Sequence, residues 1–188
     1  MIEANTTNPI ALRSREMTID SFCDLMRRMP FRDISMQRIA ENAGLGRRTL
    51  YRHFASKEDI LNAYLDRMGE EYLNSLTEAD YLARDLTAKV YFAFFQRHLD
   101  FLKLMYRDGL MLKLLEKFDQ MLDTIVNTLR SQHLSNPMPK FIRYYRAFYS
   151  GCYWKLMCQW LEDGAREAPE EMAEIFRQII VYAAEHVQ

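Results

Sequence analysis

At 188 residues the chain is long enough for one or two small domains with a real core, and a net charge of −1 points to no partner by bulk charge alone. Three cysteines, Cys23, Cys152 and Cys158, have neither the spacing of a zinc site nor that of a disulfide framework. They predict free thiols in a reducing compartment, with a thiol redox switch as the alternative reading, and the lack of a leader pattern or a membrane-length apolar run predicts a soluble, cytoplasmic protein.

Residues 1–8 are polar, and Pro9 suits a first helical turn. Leu12, Ile19, Phe22, Cys23, Leu25, Met26 and Met29 then give a helix with a wide apolar face, which Pro30 stops. Ser35 to Phe54, SMQRIAENAGLGRRTLYRHF, reads as helix, turn, helix. Ser35 is a good N-cap, since its hydroxyl accepts from an orphan N–H of the first turn. Ile39, Ala40 and Ala43 recur at helical spacing, and Gly44 supplies the left-handed conformation that ends a helix. Leu45 plugs the corner. Gly46 opens a second short helix in which Leu50 and Phe54 share one face. Its other faces carry Arg47, Arg48, Thr49, Tyr51, Arg52 and His53.

Two short helices joined by a tight glycine turn, the second basic on its outer side, form the pattern of a DNA-reading helix-turn-helix. An ordinary hairpin with a solvated basic face is the competing reading, and the basic residues gathered around Tyr51 argue against it. Residues 9–58 hold ten Lys/Arg against six Asp/Glu, a net of +4, and the remainder holds fifteen against twenty, a net of −5. A basic end on an acidic body suits phosphate contact at that end.

Ser56 caps the next helix, with Lys57, Glu58 and Asp59 in its first turn, and Ile60, Leu61, Tyr64, Leu65, Met68, Tyr72, Leu73 and Leu76 carry its apolar face onward. From about Asp80 no alternating strand pattern occurs. Helices are predicted at about 80–97, 98–107, 110–131, 138–163 and 169–187, punctuated by Gly109, the Ser135-Asn136-Pro137 cluster, Gly164 and Pro169. In the last two, Phe141, Tyr144, Tyr145, Phe148, Tyr149, Cys152, Leu156 and Trp160, then Met172, Ile175, Phe176, Ile179, Ile180 and Ala183, give faces wide enough to pack on the body and still meet a partner. The expected fold class is all-α, an N-terminal three-helix helix-turn-helix domain over 9–69 and a helical C-terminal domain over 70–188.

The run Pro30-Phe31, Ile34-Ser35, Ile39-Ala40, Ala43-Gly44-Leu45-Gly46, Thr49-Leu50-Tyr51-Arg52-His53-Phe54, Ser56-Lys57-Glu58 and Ile60-Leu61 resembles the TetR family of transcriptional regulators. The resemblance covers roughly residues 9–69, and Trp160-Leu161-Glu162-Asp163-Gly164 with Pro169-Glu170-Glu171-Met172 resembles the ending of one TetR subgroup. It implies a homodimer whose two heads read a pseudo-palindromic double-stranded operator, with half-sites about 34–36 Å apart. The C-terminal domain then serves ligand binding and dimerisation, with Tyr149, Trp160, Ile175, Phe176, Ile179 and Ile180 as interface candidates.

At the DNA, Arg47 and Arg48 can donate two bonds to guanine, and Gln37 suits adenine. Thr49, Tyr51, His53 and Lys57 match family positions that touch the sugar-phosphate backbone, Ser35 and the N–H groups behind it can hold a phosphate, and Arg52 suits either role. Gly46 stands where the family often has Ser or Thr, so one hydroxyl contact is lost. The resemblance also implies an inducer pocket, and Tyr91, Phe92, Phe95, Met105, Tyr106, Phe118, Tyr144 and Phe148 are candidates to line it. Sixteen of the chain's 24 aromatics lie between Tyr81 and Trp160, and plain core packing explains such stripes equally well.

His98, His133 and His186 are scattered, so no metal site is expected, and no catalytic motif or cofactor-binding turn stands out. The sequence therefore predicts a non-enzymatic, cofactor-free regulator, a repressor released by a small apolar or aromatic ligand. An activator on the same scaffold, or a helical interaction module without sequence-specific DNA binding, are the alternatives.

Overall fold

A computed structural model describes residues 8–76, 84–132 and 139–186. The expected Ser135-Asn136-Pro137 loop, His133 and the start of the helix expected from residue 80 lie outside the described residues. Among the described residues the fold is all-α: α1 (Pro9–Arg28), a 3-10 turn (Phe31–Asp33), α2 (Met36–Asn42), α3 (Arg47–His53), α4 (Lys57–Ser75), α5 (Arg84–Arg97), α6 (Leu99–Arg107), α7 (Met111–Gln132), α8 (Pro139–Glu162) and α9 (Pro169–His186). Local chemistry sets the ends. Asn8 Oδ1 accepts from Ile10 N at 3.0 Å ahead of Pro9, and α1 stops at Arg28 because Pro30 lacks the N–H that a further turn needs. Ser56 Oγ accepts from Asp59 N at 3.1 Å while Asp59 Oδ2 accepts from Ser56 N at 2.9 Å, a reciprocal cap at the start of α4.

The contacts divide the chain into two units. One holds the described residues up to Arg67 together with Leu104–Leu110, and the other holds Met68–Lys103 and the described residues from Met111 onward. In the first unit Ile19, Phe22 and Met26 of α1 are fully buried with Ile39, Leu50, Ile60 and Leu61, and Phe22 meets Phe31 edge-on at 6.0 Å. Ser21 Oγ donates to Ile39 O at 3.1 Å and accepts from Asn42 Nδ2 at 2.9 Å, which ties α1 to α2 through groups that would otherwise be buried without partners. The end of α1 is closed from a distance. Arg107 Nη2 donates to Met26 O at 2.9 Å and Met29 O at 3.1 Å, satisfying carbonyls that a helix terminus leaves open. Asp108 Oδ2 accepts from Phe31 N at 3.0 Å.

The second unit is built on aromatic packing. Tyr91 touches Phe92, Phe95, Phe118 and Tyr153 at centroid distances of 5.1, 4.7, 5.2 and 4.8 Å, and Tyr153 stacks on Phe176 at 4.8 Å. Trp160 is buried against Phe92 and donates Nε1–H to Glu167 O at 3.2 Å. Asp119 pairs with Ser150 and Asp123 with Arg146 along the α7–α8 seam, and Lys89 bridges to Glu170 at 3.0 Å between α5 and α9. Gly69 lets α4 come close to α7: a Cβ there would lie 2.9 Å from Met121 Sδ.

Candidate nucleic-acid interface

The α2–turn–α3 segment is held by short-range bonds that its residues dictate. Ser35 Oγ accepts from Arg38 N at 3.2 Å and opens α2. Gly44 takes φ +64°, and Leu45 N then reaches Ala40 O at 2.9 Å, which closes the turn. Leu45 is half-buried at the corner. Gly46 caps α3 with extended backbone and no side-chain bond. Leu50 and Phe54 turn into the core. That fixes the rest of the helix: Arg47, Arg48, Tyr51 and Arg52 are exposed, with Tyr51 at 54%, while Thr49 and His53 are half-buried. Exposed Ser35 and Gln37 lie at the start of α2. Arg47 and Gln37 are brought into direct contact, since Arg47 Nη2 donates to Gln37 Oε1 and Gln37 Nε2 donates on to Glu41 Oε1 at 2.8 Å.

Two expected backbone contacts have other surroundings. Lys57 Nζ donates to Phe31 O at 2.8 Å, Ile34 O at 2.9 Å and Arg32 O at 3.2 Å, and lies 4.5 Å from the centre of the Phe31 ring. An ammonium has three donors, and three carbonyls take all of them, so Lys57 builds the Pro30–Ile34 corner instead of facing outward. His53 Nε2 is buried without a hydrogen-bond partner. Burial, then the nearby charges of Arg52 and Arg15, lower its pKa and favour the neutral ring.

The apolar candidates also separate. Tyr91, Phe92, Phe95 and Phe118 form one buried cluster of the second unit. Met105 is buried in the first unit, where Tyr106 is exposed. Tyr144 and Phe148 are each 57% exposed, because α8 turns Tyr149, Tyr153 and Trp160 inward instead. Of the interface candidates, Tyr149, Trp160 and Phe176 are buried within the chain, Ile175 and Ile180 are half-buried, and Ile179 is exposed. Exposed large apolar side chains on these two helices are Phe141, Tyr144 and Phe148 on α8 and Ile179, Val181 and Tyr182 on α9.

Burial pushes the Cys23 thiol up to about 12 and also raises Cys152 and Cys158, which disfavours the thiolate form at each. Among the described residues no group of three or more His, Cys, Asp or Glu is placed to hold a metal ion, and no helix is long and apolar enough to cross a membrane.

Sequence reading missed Glu41, Arg107 and Asp108. Glu41 carries a local signal, four residues after Gln37 on one helix face. Arg107 and Asp108 carry none, being 77 to 81 residues from their partners.

Two family descriptions match the chain: bacterial regulatory proteins, tetR family, over residues 20–64, and transcriptional regulator C-terminal region over residues 86–182. No curated protein matches it in sequence. Solved structures share its fold. A tetR-family transcriptional regulator from Streptomyces coelicolor superposes with a TM-score of 0.65 at 20% identity, covering 93% of this chain and 83% of its own. The regulator FadR from Bacillus subtilis, in complex with stearoyl-CoA, gives 0.57 at 18% identity, over 88% of this chain and 97% of its own. The flavonoid-responsive regulator FrrA gives 0.57 at 21% identity, over 91% of this chain and 96% of its own.

Proposed function

The chain belongs to the tetR family of bacterial transcriptional regulators, and from that premise we propose that it is a homodimeric repressor that leaves its operator when a small apolar or aromatic molecule binds the second unit. The observation that carries this reading is the outer face of α3. Arg47, Arg48, Tyr51 and Arg52 are exposed together on a helix whose inner face, Leu50 and Phe54, is anchored in the core. Such a helix can enter a major groove as a rigid piece, with guanidinium groups for phosphates and guanine edges. Residues 9–69 serve as the DNA-binding domain and residues 70–188 as the ligand-binding and dimerisation domain.

Two heads must sit about one helical turn of DNA apart, which calls for a dimer. The exposed apolar side chains of α8 and α9 are candidates to form it. The aromatic cluster around Tyr91 offers π-rich surroundings for a ligand, and the stearoyl-CoA complex and the flavonoid response of two structural relatives support an apolar or aromatic effector. Residues 57–67 of α4 belong to one unit and 68–75 to the other, so a ligand that shifts this helix alters the spacing of the two heads. The chain acts as a regulator and not as an enzyme, with no cofactor.

The test is selection of genomic fragments by the purified protein, with footprinting at two salt concentrations. A pseudo-palindromic site whose affinity falls steeply with salt is expected. Absence of any protected site at low salt, in protein shown by native mass spectrometry to carry no ligand, overturns the reading.

A further inference from the structure

Gln37 and Arg47 are joined in one chain of side-chain bonds that begins at Glu41. The Glu41 carboxylate only accepts hydrogen bonds, so its 2.8 Å contact fixes which way the Gln37 amide faces, with the NH2 toward Glu41 and the carbonyl toward α3. That carbonyl accepts from Arg47 Nη2. Glu41 and Gln37 are one helical turn apart on α2, and Arg47 opens α3, so the chain crosses the turn of the motif. All three side chains are exposed.

The donor and acceptor inventory decides what each residue can still read. Bidentate recognition of adenine uses both the oxygen and the nitrogen of an amide, and both of those atoms of Gln37 face protein partners. Bidentate recognition of guanine uses two guanidinium N–H groups. Arg47 has five and gives one to Gln37. A long exposed arginine that is already held loses less freedom on binding than one that swings freely.

We propose that Gln37 and Glu41 are positioning residues that aim Arg47 at a single guanine, and that Gln37 reads no base of its own. This rests on the DNA-reading function above. The experiment is selection of sites by the full-length protein from a library of operators with each position randomised, for the wild type, Arg47→Ala, Gln37→Ala, Glu41→Ala, Glu41→Gln and the double variant Gln37→Ala/Arg47→Ala. Arg47→Ala is expected to lose about tenfold of preference at one position of each half-site. Gln37→Ala and Glu41→Ala lower preference at that same position by a smaller factor and leave every other position unchanged. Glu41→Gln, which keeps a side-chain acceptor, preserves it. The double variant is no worse there than Arg47→Ala alone.

Relaxation at a different position by Gln37→Ala, loss at two positions by the double variant, or unchanged preference in both Gln37→Ala and Glu41→Ala overturns the proposal while DNA reading stands. A wild type that selects no site overturns both. Thermal melts of each variant confirm folding, and Glu41→Gln with Gln37→Ala keeps the comparison informative if Glu41→Ala does not fold.

Discussion

Three main-chain carbonyls around one ammonium make Lys57 a structural cation at the corner between α1 and α2. Hydrogen bonds to charged groups contribute roughly 1.5–3 kcal/mol each and do not add fully when shared, so Lys57→Ala is expected to cost about 2 kcal/mol. Calorimetry should then show the melting temperature of the first unit falling by several degrees. Lys57→Arg should restore little, because a planar fork cannot converge on three carbonyls as an ammonium does. His53 makes a prediction in pH. Burial and two arginines lower its folded pKa below the ordinary 6.5. Its contribution to stability is therefore full above that value and is lost as pH falls through the lower folded pKa. His53→Gln should flatten the decline in melting temperature between pH 7 and pH 5 and leave its value at pH 8 little changed.

At the scale of elements, the turn between α2 and α3 offers two glycines with opposite expectations. A Cβ at Gly44 or at Gly46 meets no atom within 4 Å, so backbone conformation alone separates them. Gly44 sits at φ +64°, and Gly44→Ala should cost about 1 kcal/mol for the left-handed conformation. Gly46 has the extended conformation of an N-cap without a capping side chain, and Gly46→Ser should add a few tenths of a kcal/mol. Denaturant midpoints of the two variants should move in opposite directions. The 3-10 turn depends on the end of α6 instead. The Asp108 side chain is 5% exposed. Burial raises its pKa, but the bonds from Arg107 and from Phe31 N–H outweigh that and hold it below the usual carboxylate value. Its stabilising effect is present above the unfolded pKa of about 3.8 and is lost as pH falls through the lower folded value. Asp108→Ala should remove that part of the acid transition and lower stability at pH 7 by about 2 kcal/mol, whereas Asp108→Asn should retain the bond from Phe31.

For the whole molecule, the α8 and α9 side chains divide into an inner and an outer set. Trp160, Tyr149 and Phe176 face inward, and Phe141, Tyr144, Phe148 and Ile179 face outward. Trp160→Ala removes a buried indole and should cost about 3–5 kcal/mol of stability. On the proposed dimer, Phe148→Glu with Tyr144→Glu should shift the protein from dimer to monomer in sedimentation, with loss of operator affinity and a smaller fall in melting temperature than Trp160→Ala causes. Dimers that survive the outward changes would place the interface elsewhere on the chain.

The helices, their caps and stops, and the helix-turn-helix are legible in the residues alone, because those signals are short in range. Pro9 and Pro30, the caps at Ser35 and Ser56, Gly44 at the turn, and the apolar spacing of Ile39, Leu50 and Phe54 each act on residues within one or two turns. The exposed basic face of α3 followed from the same periodicity. Which way the broad apolar helices turn depends instead on packing between distant segments. An aromatic on α8 is equally apolar facing in or out, and neighbours far along the chain choose Tyr153 and Trp160 over Tyr144 and Phe148. The same packing decides the partners of polar groups. Lys57 meets carbonyls 23 to 26 residues away, and Asp108 meets an N–H 77 residues away. A residue type fixes how many hydrogen bonds a side chain can make, and the packing of distant segments fixes with whom it makes them.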